Sequence, residues 1–407
     1  MSLEKLLVYR LKNGVQHYSW GDKEFIPDLL GITNPQKKSY AELWMGAHPN
    51  MPSTILLNDE DTKGVPLNEW IASDLSATLG DQIAQNFNHL PFLFKVLSAN
   101  QPLSIKVHPD KKLAEEGFAR ENDEGIALDA FNRTYKDPNH KPEIFCALTP
   151  FWALRGFRYP SAILELVNMS KSPLLKEIAN VLLNENLSQW DQLKAFFIQL
   201  LNMDKENSKL LVDEVLACSE NVEHEVFYWV KELAKAYPGD SGALAPIYLN
   251  LFHLLPGEAF CFKAGVLHCY LKGCGVELEA SSDNELRGGL THKHIAKNEL
   301  LKMVQFVSTS PKVLYPTGVG EEKFYETPFI EFSLSRIVLE GQCTLSSPLQ
   351  VSIIICIKGE ATLGDIKIKQ GDSIFLPSQK AVATLEGNGI FFRASVPDQN
   401  KEKTNFD

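Results

Sequence analysis

Between residues 160 and 237 the hydrophobic period of the chain changes, and that change constrains the fold more than any other feature of the sequence. Leu193, Phe196, Phe197, Leu200 and Leu201 fall at i, i+3, i+4, i+7 and i+8, which is one face of a helix. Pro160 opens Pro-Ser-Ala-Ile-Leu-Glu-Leu-Val at a position suited to a first helical turn. Ser188-Gln-Trp-Asp191 reads as a helix start, and a further helical pattern runs from about Val222 to Tyr237 before Pro238-Gly239 stops it. On either side, Pro and Gly punctuate short apolar runs such as Leu90-Pro-Phe-Leu-Phe-Lys-Val-Leu97, the pattern of strands. Residues 1–150 read mostly as strands and loops, with one helical segment around Asn68 to Ala77. Strands return over 245–300, a short helix is expected around Ile295 to Val304, and residues 310–397 read as β throughout. The tail, Asp398 to Asp407, is polar and expected to fray.

Composition narrows the function. The chain of 407 residues carries 51 acidic against 40 basic residues, a formal net charge of −11. That balance argues against nucleic acid or an anionic membrane surface as the main partner. It leaves room for a small anion, because one Arg or Lys in a cleft can hold a phosphate. No uncharged apolar run reaches membrane-spanning length, and Met1 to Asn13, with Glu4, Lys5, Arg10 and Lys12, lacks the apolar core of a signal peptide. The seven cysteines are odd in number and mostly lie in apolar runs such as Ile353-Ile-Ile-Cys356, as buried thiols in a reducing compartment would. The expected location is cytoplasmic.

Three stretches carry the chemistry. In Leu103-Ser-Ile-Lys-Val-His-Pro109, strand alternation puts Ser104, Lys106 and His108 on one face and Leu103, Ile105 and Val107 on the other. That polar face either meets solvent or lines a polar cavity. Tyr135-Lys-Asp-Pro-Asn-His-Lys-Pro-Glu143 is a rigid loop that delivers Glu143 into the apolar run Ile144 to Leu148, where a carboxylate must be paired, hydrogen-bonded or bound to a metal. Third, His268 sits among apolar residues, and Glu277, Glu279, Asp283 and Arg287 follow within a short span, Arg287 preceding Gly288-Gly289, where backbone can approach a ligand closely. Taken singly, each group also fits a salt bridge, a core histidine or exposed loop charge. Two His and one Glu together fit a three-ligand catalytic site for a divalent metal, but spacing alone does not establish it.

An internal echo points the same way. Gly257-Glu-Ala-Phe-Cys-Phe-Lys-Ala-Gly-Val-Leu-His268 matches Gly371-Asp-Ser-Ile-Phe-Leu-Pro-Ser-Gln-Lys-Ala-Val382 in spacing and apolar pattern, and both look like a cupin strand pair. The second copy ends in Val382 in place of the histidine, so no metal is expected there.

The sequence closely resembles the type I mannose-6-phosphate isomerases. Tyr135 to Glu143 and His268-x-Tyr-Leu-x-Gly…Glu277…Ser282-Asp-Asn…Arg287 are similar to the two signatures of that family. Tyr18-Ser-Trp-Gly21, Ala41 to Pro49, Leu90 to Lys95 and Leu103 to Pro109 also match, in order, from about Val15 onward. The resemblance is dense to residue 300 and thin afterwards. It implies an α+β fold with cupin-like β-barrel or jelly-roll domains and an inserted helical domain. The implied units are a discontinuous catalytic domain at 1–155 plus 245–305, a helical domain at 156–244, a metal-free C-terminal cupin-like β domain at 306–397, and a tail at 398–407. It also implies one zinc ion and interconversion of mannose 6-phosphate with fructose 6-phosphate in a monomer whose partner is a small sugar phosphate. By position the metal ligands would be His108, Glu143 and His268, and Arg287 the active-site arginine. Lys95, Ser104 and Lys141 would lie near the phosphate or sugar, with His140 and Asp283 in the same pocket. The proton-transferring base stays open among Lys141, His140, Asp283 and Glu279.

Departures from the family pattern sharpen the expectations. Lys106 stands where the family has a Gln that is a fourth zinc ligand, Glu279 where Met is usual, Gly288 in place of Ala and His292 in place of Pro. An ammonium beside a dication is repulsive, and lysine must lose its proton to offer a lone pair. Either Lys106 is neutral near the metal or it swings aside, and Glu279 supplies a compensating charge if it reaches the cavity. Three other readings compete: a cupin Fe(II) oxygenase, a non-catalytic sugar-binding protein that has lost its metal, and an isomerase of altered substrate preference.

Overall fold

The helices start where side chains can cap them. Ser188 accepts from the backbone N–H of Asp191 and opens the helix Gln189–Asn202, whose buried stripe is Leu193, Phe196, Phe197 and Leu200. Asp204 caps Lys205–Cys218 in the same way, and Pro160 occupies the first turn of Pro160–Ser170. The helix Glu225–Ala236 ends before Pro238-Gly239, with Gly239 at φ +78°. In this computed structural model residues 6–57, 63–310, 312–345 and 349–397 are described. The tail from Asp398, expected to fray, lies outside the described residues.

The β structure forms two antiparallel sheets, of ten and nine strands. Neither strand order returns to its first strand among the described residues, so of the barrel or jelly-roll expected it is open, folded-over sheets that form, and no closed barrel. The reason lies in the strand His268–Ala280. Its first half is flanked by Ile105–Val107 and Phe151–Phe157, its second half by Phe92–Ala99 and Glu143–Ala147. The changeover coincides with a register shift between Tyr270 and Lys272, where Tyr270 faces Ala153 and Lys272 faces Trp152. One extra residue, Leu271, is accommodated, and the strand turns a corner there.

The nine-stranded sheet is built mainly from Glu322–Tyr325, Ser333–Thr344, Ser352–Leu363, Ser373–Leu376 and Thr384–Ser395. The N-terminal strand Tyr9–Lys12 pairs with Ser373–Leu376, and Thr54–Leu56 pairs with Tyr9–Lys12 in turn. Residues 1–155 are therefore divided between the two sheets. At the position echoing His268, Val382 is exposed, and no histidine or carboxylate cluster accompanies it among the described residues.

A second difference concerns Lys111–Asp123, a helix where strands and loops were expected. Its buried stripe is only Ala114, Gly117 and Glu121, too narrow and too polar to read as a hydrophobic period. The Asp110 carboxylate caps it, accepting from Leu113 N–H.

Strand alternation connects the helical stretch to the cavity described below. Ile105, Val107, Cys269, Leu271 and Leu286 are buried in one core with the helical residues Phe196, Phe197, Val230 and Leu233. The intervening side chains, Lys106, His268, Tyr270 and Arg287, line a cavity on the opposite face.

Candidate active site

The cavity has a volume of about 880 Å³ and is lined by side chains from all three stretches that the sequence singled out. The ligating atoms of His108, Glu143 and His268 all lie within 4.8 Å of one another, all three residues are buried, and Glu143 and His268 line the cavity. The His108 Nδ1 is 2.7 Å from the carbonyl of Asn284, and the His268 Nδ1 is 2.9 Å from that of Val266. Each carbonyl can only accept, so each Nδ1 carries a proton and each Nε2 is left to face Glu143. His108 Nε2 is 3.2 Å from Glu143 Oε1, and His268 Nε2 is 3.7 Å from Glu143 Oε2. Burial and the neighbouring His108 push the His268 imidazole down to about 3, keeping it neutral. Burial opposes ionisation of Glu143, but His108 and Lys141 outweigh it and hold the carboxyl well below its ordinary range. Two imidazoles and one carboxylate, their ligating atoms gathered together, form the donor set of a catalytic divalent-metal site. Among the described residues the buried His108 Nε2 has no hydrogen-bond partner, and a cation would satisfy it.

Register explains the surroundings. Glu143 and Glu279 are directly opposed across antiparallel strands, as are Glu277 and Lys95. Opposed carboxylates repel, and Lys141 lies between them, 3.5 Å from Glu143 and 3.1 Å from Glu279. Lys95 is 2.7 Å from Glu279 and 3.6 Å from Glu277, and its ammonium also sits over the Trp44 ring. Burial alone would drive both lysines neutral, but Glu279 and the carboxylates beside it hold both above the ordinary lysine value. Glu277 goes the other way: burial lifts its carboxyl, despite Lys95, and Tyr270 Oη donates to it at 2.6 Å.

The bulge at Leu271 makes this possible. On a regular strand, positions 268 and 277 would face opposite sides. The extra residue restores the phase, so His268 and Glu277 share one cavity.

The two loops are tied to each other. Asn284, fully buried, accepts from Lys136 N–H at 2.7 Å and donates to the carbonyls of Asp137 and Asn139. Asp137 accepts from Ser282 Oγ and Asp283 N–H. These contacts lock Tyr135–Glu143 against Ser281–Glu285.

The other sequence candidates divide. Ser104, Asp283 and Arg287 line the cavity. Asp283 Oδ1 is 3.1 Å from His48 Nε2, whose hydrogen bond, against a smaller cost of burial, holds the Asp283 carboxyl below its usual value. His140 does not join them: its Nε2 lies 2.6 Å from Glu331 Oε1, and it is absent from the cavity lining. Its neighbour Lys141 is the one that lines the cavity. Lys95, expected near the phosphate or sugar, lines the cavity at its carboxylate-rich end, beside Glu277 and Glu279. Lys106 swings aside, charged, onto Glu285 at 2.5 Å. Glu279 does reach the cavity, but it faces Lys95 and Lys141. Sequence reasoning assigned no role to Glu285, Lys136 or Lys293, all of which line the cavity. Lys293 is held below the usual lysine value, first by Arg287 and then by burial, which marks a cationic rim.

Similarity to known proteins agrees with this geometry. A family model for the type I phosphomannose isomerase catalytic domain matches residues 8–160, and one for the mannose-6-phosphate isomerase cupin domain matches 321–396. The chain is 39% identical to the mannose-6-phosphate isomerase of Escherichia coli K12 over 392 residues, covering 94% of this chain and 98% of that protein. It is 34% identical to that of Homo sapiens over 429 residues, with coverage of 95% and 98%. Among solved structures, zinc-bound mannose 6-phosphate isomerase superposes with a TM-score of 0.89 at 37% identity, covering 96% of this chain and 100% of that one.

Proposed function

This chain belongs to the type I mannose-6-phosphate isomerases, and from that membership we propose that His108, Glu143 and His268 hold one zinc ion in a cavity that interconverts mannose 6-phosphate and fructose 6-phosphate. The observation that carries this reading is the buried His108 Nε2, unpartnered and directed at Glu143.

Aldose–ketose exchange moves a proton between adjacent carbons and develops negative charge on oxygen in between. Zinc, when bound, supplies Lewis-acid polarisation of the sugar oxygens. The remaining tasks fall to this chain's side chains. Arg287, planar and permanently charged, stabilises the enediolate oxygen. Lys141 is held protonated, so it donates to a sugar oxygen and does not abstract from carbon. His140 points away. Asp283 is ionised, faces the cavity and is braced by His48, which gives it the base role. Lys293 and Lys136, on the cationic rim, hold the phosphate, with Ser104 nearby. The buried Tyr270 lines the cavity, and Phe145 and Phe262 pack against its ring from behind. A cytoplasmic setting in mannose metabolism accompanies this reading, and all seven cysteines are free, as suits a reducing compartment.

The test is elemental analysis of the purified protein combined with an isomerase assay before and after chelation. One zinc per chain and an activity lost on chelation and restored by zinc are expected. Full activity in metal-free protein would sink the reading.

A further inference from the structure

We propose that Glu285 is a positioning residue that holds Lys106 off the metal centre and fixes Arg287 beside it, so that the centre keeps three protein ligands. This inference rests on the metal reading above.

Register creates the problem that Glu285 solves. Lys106 lies directly across from His268 on one side and directly across from Arg287 on the other. Directly opposed residues on antiparallel strands share a face, and like charges so placed repel. Two cations therefore stand side by side next to a histidine that would ligate a dication. The Glu285 carboxylate spans both, 2.5 Å from Lys106 Nζ and 2.7 Å from Arg287 Nη2. Lys106 and Glu285 are only about a quarter or less exposed, at 26% and 17%, so water screens the pair weakly.

Three consequences follow from this arrangement. An ammonium bound in an ion pair has no lone pair, so Lys106 does not ligate. Its charge is neutralised on the strand position directly across from His268. Arg287 commits one N–H edge to Glu285 and keeps its other donors for substrate. Glu285 also directly follows Asn284, whose carbonyl fixes the His108 tautomer. Movement of this short segment would reach the arginine and the metal ligand together.

The experiment measures zinc affinity, by competition with a chromophoric chelator, for wild type, Glu285→Gln, Lys106→Gln and the double variant, with kcat and KM alongside. Glu285→Gln should bind zinc about tenfold more weakly or worse, the size usual for groups that support metal ligands. Adding Lys106→Gln should restore the affinity, because the unpaired ammonium is gone, while kcat/KM stays low because Arg287 is still unbraced. Lys106→Gln alone should bind zinc more tightly than wild type, and it decides the case if Glu285→Gln fails to fold. Wild-type affinity in Glu285→Gln, additive losses in the double variant, or no gain in Lys106→Gln would each overturn the proposal. A wild-type protein that takes up no zinc overturns the metal reading and this inference with it. Zinc binding indifferent to these substitutions overturns the inference alone.

Discussion

His108 Nε2 and Glu143 Oε1 face each other across 3.2 Å, with His108 Nδ1 already committed to the Asn284 carbonyl. A cation bound between these buried atoms would satisfy both of them at once. Zinc binding should therefore stabilise the fold, by about 2.7 kcal/mol when free zinc is one hundred times its Kd. Chelation should lower the unfolding midpoint of the wild type. Glu143→Gln should bind zinc at least about tenfold more weakly, and its midpoint should respond little to chelator. Calorimetry with and without chelator checks this; equal shifts in both proteins would count against the site.

Arg287→Ala should keep its unfolding midpoint and lose most turnover, by about 10²–10³ in kcat, the loss typical of one donor to a developing oxyanion. Asp283→Asn should lower kcat by about 10²–10⁴ with KM little changed, as removal of a general base does. Lys293→Ala should do the reverse, raising KM for mannose 6-phosphate while kcat changes less. Steady-state kinetics separates the three, and a Lys293→Ala defect confined to kcat would remove Lys293 from the phosphate.

Glu331 ties the nine-stranded sheet region to the site loop through His140. Burial would raise its carboxyl, but the hydrogen bond and charge of His140 hold it below the ordinary value. A depressed folded pKa stabilises the protein above the unfolded value, near 4.3, and that stability is lost as pH falls through the folded pKa. Glu331→Gln should cost about 1–2 kcal/mol at pH 7, and the gap from wild type should close below about pH 4. Denaturant melts at the two pH values test this, and a gap that widens in acid would refute it.

Gly117→Ala tests how the site loop is seated. Alanine normally favours a helix by about 1 kcal/mol over glycine. Here a Cβ at Gly117 would lie 2.3 Å from the Tyr135 ring, which is fully buried and hydrogen-bonded through its hydroxyl to Glu299. The ring cannot yield, so overpacking wins and the variant should lose about 1–3 kcal/mol. Because Tyr135 begins the loop that carries Lys141 and Glu143, turnover should fall with stability. A stabilised Gly117→Ala would show that the loop adapts.

Much of the architecture was legible because it is periodic. The stripe through Leu193, Phe196, Phe197 and Leu200 announced its helix, and alternation along Leu103–His108 separated core from cavity side chains. The helix Lys111–Asp123 was illegible because its buried face is Ala, Gly and Glu. The ligand candidates were nameable only through resemblance, since a lone buried Glu or His reads equally well as a salt bridge or a core residue. Their partners were hidden for another reason. Glu285 meets Lys106, and Glu331 meets His140, across more than one hundred residues, and no short motif encodes such a meeting. Of the barrel or jelly-roll expected, no closed barrel forms among the described residues, because one strand serves two sets of neighbours.

The single extra residue at Leu271 has a consequence for how this stretch can vary. Side-chain changes at Leu271 would disturb packing beneath the helices, and neighbouring groups can relax around them. Removing the residue altogether would rotate everything downstream by half a pleat, turning Glu277 and Glu279 into the wall, stripping Lys95 of both carboxylates and leaving Lys141 with Glu143 alone. What that stretch of chain stores is a count: its length is held more tightly than its letters.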